Sequence, residues 1–243
     1  MKSIRSGGRN FINKIFAPVA NLLSRLKVSP NFFTILGFVF SLAAGLSFAF
    51  AAQLPALTVY SQIHFIRLAG ILILLSALCD IFDGAVARAG GRQSRFGAYL
   101  DSVLDRYSET AVLTGLIYFF AVSGDIIHTV VTVLVLVGSI FVSYTKARAE
   151  GLGVECKVGL MERPERLILL IIGAIAGGYI LLGALWLLAV LTHITAVQRI
   201  LHTRKNIKLG LVDEANPELR KTAQEAPGPN GNISPISDKT GKQ

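Results

Sequence analysis

Six long apolar stretches separated by short polar segments dominate this chain of 243 residues. They run at about 31–52, 66–88, 96–122, 126–149, 164–180 and 182–202. Crossing the hydrocarbon core takes about 20 residues of helix, so each stretch has the length of a span. Inside lipid every backbone polar group must be satisfied within its own segment, which selects helices. The pattern predicts an all-α integral membrane protein with six transmembrane helices. Composition agrees, with 52% hydrophobic and only 16% charged residues, too few charges for an ordinary soluble domain.

Three regions follow. Residues 1–27 read as an N-terminal interfacial amphipathic helix: Phe11, Ile15, Val19, Leu22, Leu23 and Leu26 recur at helical spacing beside Lys2, Arg5, Arg9, Lys14, Arg25 and Lys27. They contain no continuous apolar core or cleavage site of a signal peptide. Residues 28–205 carry the spans, the first opened by Ser29-Pro30-Asn31 as a helix start. Residues 206–243 are rich in Pro, Gly, Asn and Lys and read as a disordered tail.

Net charge is +9. In a soluble chain that would point to nucleic acid. Here the cations sit between apolar runs and on one side, at Arg88, Arg92 and Arg95, at Lys146, Arg148, Lys157, Arg163 and Arg166, and at Arg199, Arg204, Lys205 and Lys208. That asymmetry points away from nucleic acid and towards the cytoplasmic membrane, with both termini cytosolic and an even number of spans. Cys79 and Cys156 have no partner spacing and read as free thiols.

Acidic residues break the apolar pattern at one place. Asp80, Asp83, Gly84 and Ala87 fall on one face at the end of the second span. Gly97, Asp101 and Asp105 fall on one face at the start of the third. The turn between them is short, so the two helices are expected to be antiparallel neighbours with their acidic faces together. One Asp at a helix centre costs roughly 2.5–3.5 kcal/mol to insert, so four unpaired ones approach about 10 kcal/mol. Arg88 and Arg106 could neutralise two of them. Oxygen-only ligands favour a hard cation, Mg²⁺ or Mn²⁺, and bridging carboxylates suit two such ions. The small residues on both faces leave room for a ligand.

Asp80-x-x-Asp83-Gly84-x-x-Ala87-Arg88, eight further residues, then Gly97-x-x-x-Asp101-x-x-x-Asp105 resembles the signature of the CDP-alcohol phosphotransferases at every fixed position. The resemblance extends over about residues 28–205. It implies transfer of the phosphatidyl group of CDP-diacylglycerol to a second alcohol, with CMP leaving and no covalent enzyme intermediate. It assigns Asp80, Asp83, Asp101 and Asp105 to the metals, and to Asp105 also the role of catalytic base. Gly84, Arg88 and Ser94, with Asn31 and Thr34 at the start of the first span, resemble the nucleotide-contacting positions. It further implies a homodimer, while the charge asymmetry puts the acidic site on the cytosolic side.

The signature leaves the acceptor open. Ser143–Gly153, Glu162–Arg166 and Gln198–Arg204 resemble stretches of bacterial phosphatidylinositol phosphate synthases. They would gather Lys146, Arg163, Arg166 and Arg199 at one cavity suited to a phosphorylated acceptor. Inositol phosphate is the first expectation and glycerol 3-phosphate the alternative. Positive-inside anchoring also explains any one of these cations. An ion-coupled transporter is the rival class, but it would scatter its acids along a path. His64, His128, His193 and His202 lack metal-ligand spacing and read as packing or interface residues. Gly173 and Gly177 form a small-xxx-small pair suited to helix packing.

Overall fold

The computed structural model describes residues 29–53, 59–91 and 93–209. The expected leader helix, and the tail beyond residue 209, lie outside the described residues. Among the described residues there are six helices: α1 Pro30–Ala52, α2 Val59–Ala89, α3 Arg95–Val122, α4 Ile126–Gly151, α5 Arg163–Ala176 and α6 Gly178–Lys208. Four of them, α1, α2, α4 and α6, are long and apolar enough to cross a membrane. The other two differ for separate reasons. Helix α3 carries Asp101, Asp105, Arg106 and Glu109, and α5 has only 14 residues.

Local chemistry explains the helix ends. Pro30 opens α1, where its missing N–H costs nothing. Ser94 caps α3 by accepting a hydrogen bond from Gly97 N at 2.9 Å. Asp125 caps α4, accepting from His128 N at 3.1 Å and from the His128 ring at 2.7 Å. The backbone bond, then the ring, holds the Asp125 carboxyl below its usual range.

Several boundaries depart from the sequence expectation. Helix α2 starts at Val59, about two turns before the apolar run, because nothing between Val59 and Phe65 breaks a helix. The fifth helix stops at Ala176 rather than near 180. Gly177 there takes φ 73°, a conformation that favours glycine, and Gly178 follows at φ 52°. Helix α6 therefore begins at Gly178 and runs on to Lys208, past the expected end at His202 and into the residues read as tail. Gly173, read as a packing position, meets α6. A Cβ there would lie 3.1 Å from Ala184 Cβ and 3.2 Å from Leu181 Cα.

Helix α1 packs against both α2 and α3. Those two approach each other far less than either approaches α1, yet their acidic faces meet as expected, through the side chains of Asp80, Asp101 and Asp105. Small residues make this possible. A Cβ on Gly115 of α3 would collide with the Gly45 carbonyl of α1, and one on Gly45 with the Ala111 carbonyl. Helix α6 packs on α4 and α5, and α5 on α2. Phe48, Ile73, Leu113, Leu116, Leu185 and Leu188 fill the buried centre. Large apolar side chains such as Ile71, Trp186, Val190 and Val197 face outward, as a lipid surround requires.

Gly115→Ala should destabilise the protein by about 1–3 kcal/mol, the usual range for overpacking, because the neighbour is backbone and cannot rotate away. Thermal unfolding in detergent measures it, and an unchanged midpoint would refute the close crossing.

Candidate active site

Asp80 and Asp83 leave α2 at the end where Arg88 lies, and Asp101 and Asp105 leave the first turns of α3. One carboxylate oxygen from each of Asp80, Asp101 and Asp105 falls within a cluster 4.8 Å across. Asp83 stands beside this group, buried, its Oδ2 accepting a 2.9 Å bond from Thr34 Oγ1 of α1. Thr34 thus orients an aspartate, beyond the nucleotide contact that the family resemblance implies.

The cation that faces the aspartates comes from α5. Arg163 donates to Asp80 Oδ1 at 2.8 Å and reaches Asp105 Oδ1 at 2.7 Å. Arg106 approaches Asp105 only to 4.0 Å and also donates to the Ser102 carbonyl. Asp101 Oδ1 is buried with no hydrogen-bond partner. A buried carboxylate oxygen without a partner is costly unless a cation meets it. An all-oxygen cluster with such an atom fits a hard divalent metal.

Two clefts open beside the cluster. The first, about 210 Å³, is bounded by α1, α2 and α3 and lined by Asn31, Thr34, Asp83, Gly84, Arg88, Ser94, Gly97 and Asp101. All five residues expected at the nucleotide therefore share one cavity. Gly97 has a geometric reason to be glycine. A Cβ there would stand 2.9 Å from Ser94 Oγ and 3.5 Å from Asn31 Oδ1. At Gly84 an added Cβ would meet the Arg88 guanidinium at 3.1 Å.

The second cleft, about 180 Å³, is lined by Asp105, Arg106, Ser143, Lys146, Glu162, Arg163, Arg166 and Arg199. The four cations expected at the acceptor are all here, but their states differ. Arg166 is 3% exposed and donates to both Glu109 oxygens, at 2.7 and 2.8 Å, and to the Met161 carbonyl. Arg199 is 2% exposed and donates to the Val158 carbonyl at 2.9 Å and to the Val142 carbonyl, with Glu162 at 3.9 Å. Both guanidiniums are bound within the wall. Lys146 is 42% exposed beside Glu150 at 4.0 Å, an accessible cation.

Glu109 is the site residue that sequence reading passed over. Its signal was present, because Asp101, Asp105 and Glu109 continue one i, i+4, i+8 stripe. The histidines stay away from the cluster. His128 bonds Asp125 and packs on Phe120, His193 bonds the Ala189 carbonyl, and His202 contacts the Glu155 carbonyl and Asn206. Cys79 and Cys156 are free and buried.

Residues 27–203 match the family model described as CDP-alcohol phosphatidyltransferase. The chain belongs to that family. As a CDP-alcohol phosphatidyltransferase it has informative relatives. An archaetidylinositol phosphate synthase of Pyrococcus horikoshii is 35% identical over 193 residues, covering 79% of this chain and 92% of the relative. A phosphatidylinositol phosphate synthase of Mycobacteroides abscessus is 38% identical over 197 residues, covering 79% and 84%. The crystal structure of the Mycobacterium tuberculosis phosphatidylinositol phosphate synthase with CDP-DAG bound superposes with a TM-score of 0.68 at 35% identity, covering 78% of this chain and 94% of that one. The same synthase has also been solved in complex with manganese and citrate. A phosphatidyltransferase of this family is an enzyme, which removes the transporter reading.

Proposed function

We propose that this membrane phosphatidyltransferase moves the phosphatidyl group of CDP-diacylglycerol to inositol phosphate, giving phosphatidylinositol phosphate and CMP. The carrying observation is the position of the aspartates between two clefts of unlike lining. One cleft gathers the nucleotide positions, and the other holds Asp105 against cations. The two relatives named above differ in the lipid their names carry but share inositol phosphate.

Asn31, Thr34, Gly84, Arg88 and Ser94 hold the cytidine diphosphate in the first cleft. Lys146 and Arg163 meet the acceptor phosphate in the second. Arg166 and Arg199 add positive potential from the wall, their donors already bound to protein. Asp105 lines the acceptor cleft and takes the proton of the attacking hydroxyl as its oxygen bonds phosphorus and the bond to CMP breaks. Two ions of Mg²⁺ or Mn²⁺ held by Asp80, Asp83, Asp101 and Asp105 would supply charge neutralisation at the pyrophosphate.

All six helices span the cell membrane in this reading. Helix α3 turns Asp101, Asp105 and Glu109 to the site, and short α5 packs on α2 and α6. Both termini and the clefts face the cytosol, where the charge asymmetry puts them. The enzyme works as a homodimer.

Purified protein supplied with CDP-diacylglycerol and Mn²⁺ tests the reading. CMP release is measured with inositol phosphate, glycerol 3-phosphate, inositol or serine. Inositol phosphate should give turnover at least about tenfold above the others, a discrimination worth about 1.4 kcal/mol. Turnover with glycerol 3-phosphate alone would keep the reaction class and overturn the acceptor.

A further inference from the structure

Two arginine–carboxylate rungs join α3 to α5. Asp105 pairs with Arg163, and one turn deeper Glu109 pairs with Arg166. The spacings match, the acids standing four positions apart and the arginines three, so the rungs stack along facing helix stripes. Backbone packing does not set this spacing. Helix α5 rests on α2 and α6, and α3 on α1 and α4, with little direct approach between α3 and α5. The side-chain rungs hold the two helices in register.

The rungs are unequal. Arg163 and Asp105 are 20% and 15% exposed and line the acceptor cleft. Arg166 and Glu109 are 3% and 10% exposed, with a two-point bond at 2.7 and 2.8 Å. A bidentate fork fixes orientation as well as distance. The outer rung uses the carboxylates that the metal and the acceptor proton also use, so it must be exchangeable. The inner rung has no such competitor and can stay made.

We propose that Glu109 is a positioning residue for the transfer: through its fork on Arg166 it holds α5 in register so that Arg163 reaches both the aspartates and the acceptor cleft. Glu109 touches no substrate. It acts through the helix that carries Arg163. This rests on the transferase reading above and adds a residue that the signature does not contain.

Acceptor kinetics of a double-mutant cycle test it. Glu109→Gln should raise the acceptor KM about tenfold and leave the CDP-diacylglycerol KM within about twofold, since the nucleotide cleft shares no wall with the rung. Arg163→Gln should raise the acceptor KM at least as much. The double variant should match Arg163→Gln alone, because the two substitutions remove one function. Independent, multiplying effects would overturn the proposal, as would an unchanged acceptor KM in Glu109→Gln. Where Glu109→Gln fails to fold, Glu109→Asp keeps the buried charge pair and shortens its reach to Arg166 by one methylene. That variant should fold and keep a raised acceptor KM, whereas a merely structural role predicts wild-type KM once stability returns. Wild-type protein is the control that separates the two readings. No CMP release from wild type with any acceptor overturns the transferase reading and the positioning role with it. Wild-type turnover with an additive cycle overturns the positioning role alone.

Discussion

Asp105→Asn should lower kcat for CMP release by about 10²–10⁴-fold, the usual contribution of a positioned general base. The substitution keeps size and shape and removes the proton-accepting charge. Asp105 is the one member of the close carboxylate cluster that also lines the second cleft, 15% exposed and within 2.7 Å of Arg163. The loss should therefore appear in kcat more than in the CDP-diacylglycerol KM. Steady-state CMP release measures it, with Mn²⁺ titration by electron paramagnetic resonance alongside. Asp80, Asp83 and Asp101 remain in the variant, so Mn²⁺ binding should weaken but persist. Turnover near the wild-type level would remove Asp105 from the role of base.

The largest stability effect should come from Glu109→Ala, a loss of about 3–5 kcal/mol. It leaves Arg166 as a charge 3% exposed that keeps its bond to the Met161 carbonyl but loses its carboxylate fork. The magnitude depends on burial, and a contrast within the same molecule shows why. Lys146 and Glu150 lie 4.0 Å apart at 42% and 51% exposure. Solvent screens such a pair, so Glu150→Gln should cost less than about 1 kcal/mol. Replacing both Glu109 and Arg166 by methionine should be close to neutral, because two desolvated charges leave together. Unfolding midpoints in detergent compare all three. A Glu109→Ala midpoint as mild as that of Glu150→Gln would mean that water reaches the pair.

The aspartates were legible because their spacing is local. A helix repeats every 3.6 residues, so i, i+3 and i+4 positions share a face whatever surrounds it. The five positions expected at the nucleotide came from the wider family resemblance, and the structure places Asn31, Thr34, Gly84, Arg88 and Ser94 around one cleft. Thr34 was visible as a cleft residue but not as the partner of Asp83, 49 positions away. Helix ends were less legible. Glycine can break a helix or pack inside one, and Gly177 at φ 73° breaks it while Gly173 packs.

The cations expected at the acceptor mark where local patterns stop being informative. Lys146, Arg163, Arg166 and Arg199 look alike as sequence, four basic residues beside apolar runs. Lys146 lies beside Glu150 one turn on, but the other three find partners far along the chain: Asp80 for Arg163, Glu109 for Arg166, and the Val142 and Val158 carbonyls for Arg199.

Sequence alone determined that the chain is helical and membrane-like, and which two helices carry the acidic stripes, because hydropathy and helical period act within one segment. Only the tertiary structure decided that α1, rather than a direct α2–α3 contact, holds the two acidic helices, and which arginine meets which acid. Those outcomes depend on how far apart helix axes settle. That distance is set by Gly45 against Gly115 and by the Glu109–Arg166 fork, contacts between segments that no single-segment pattern encodes.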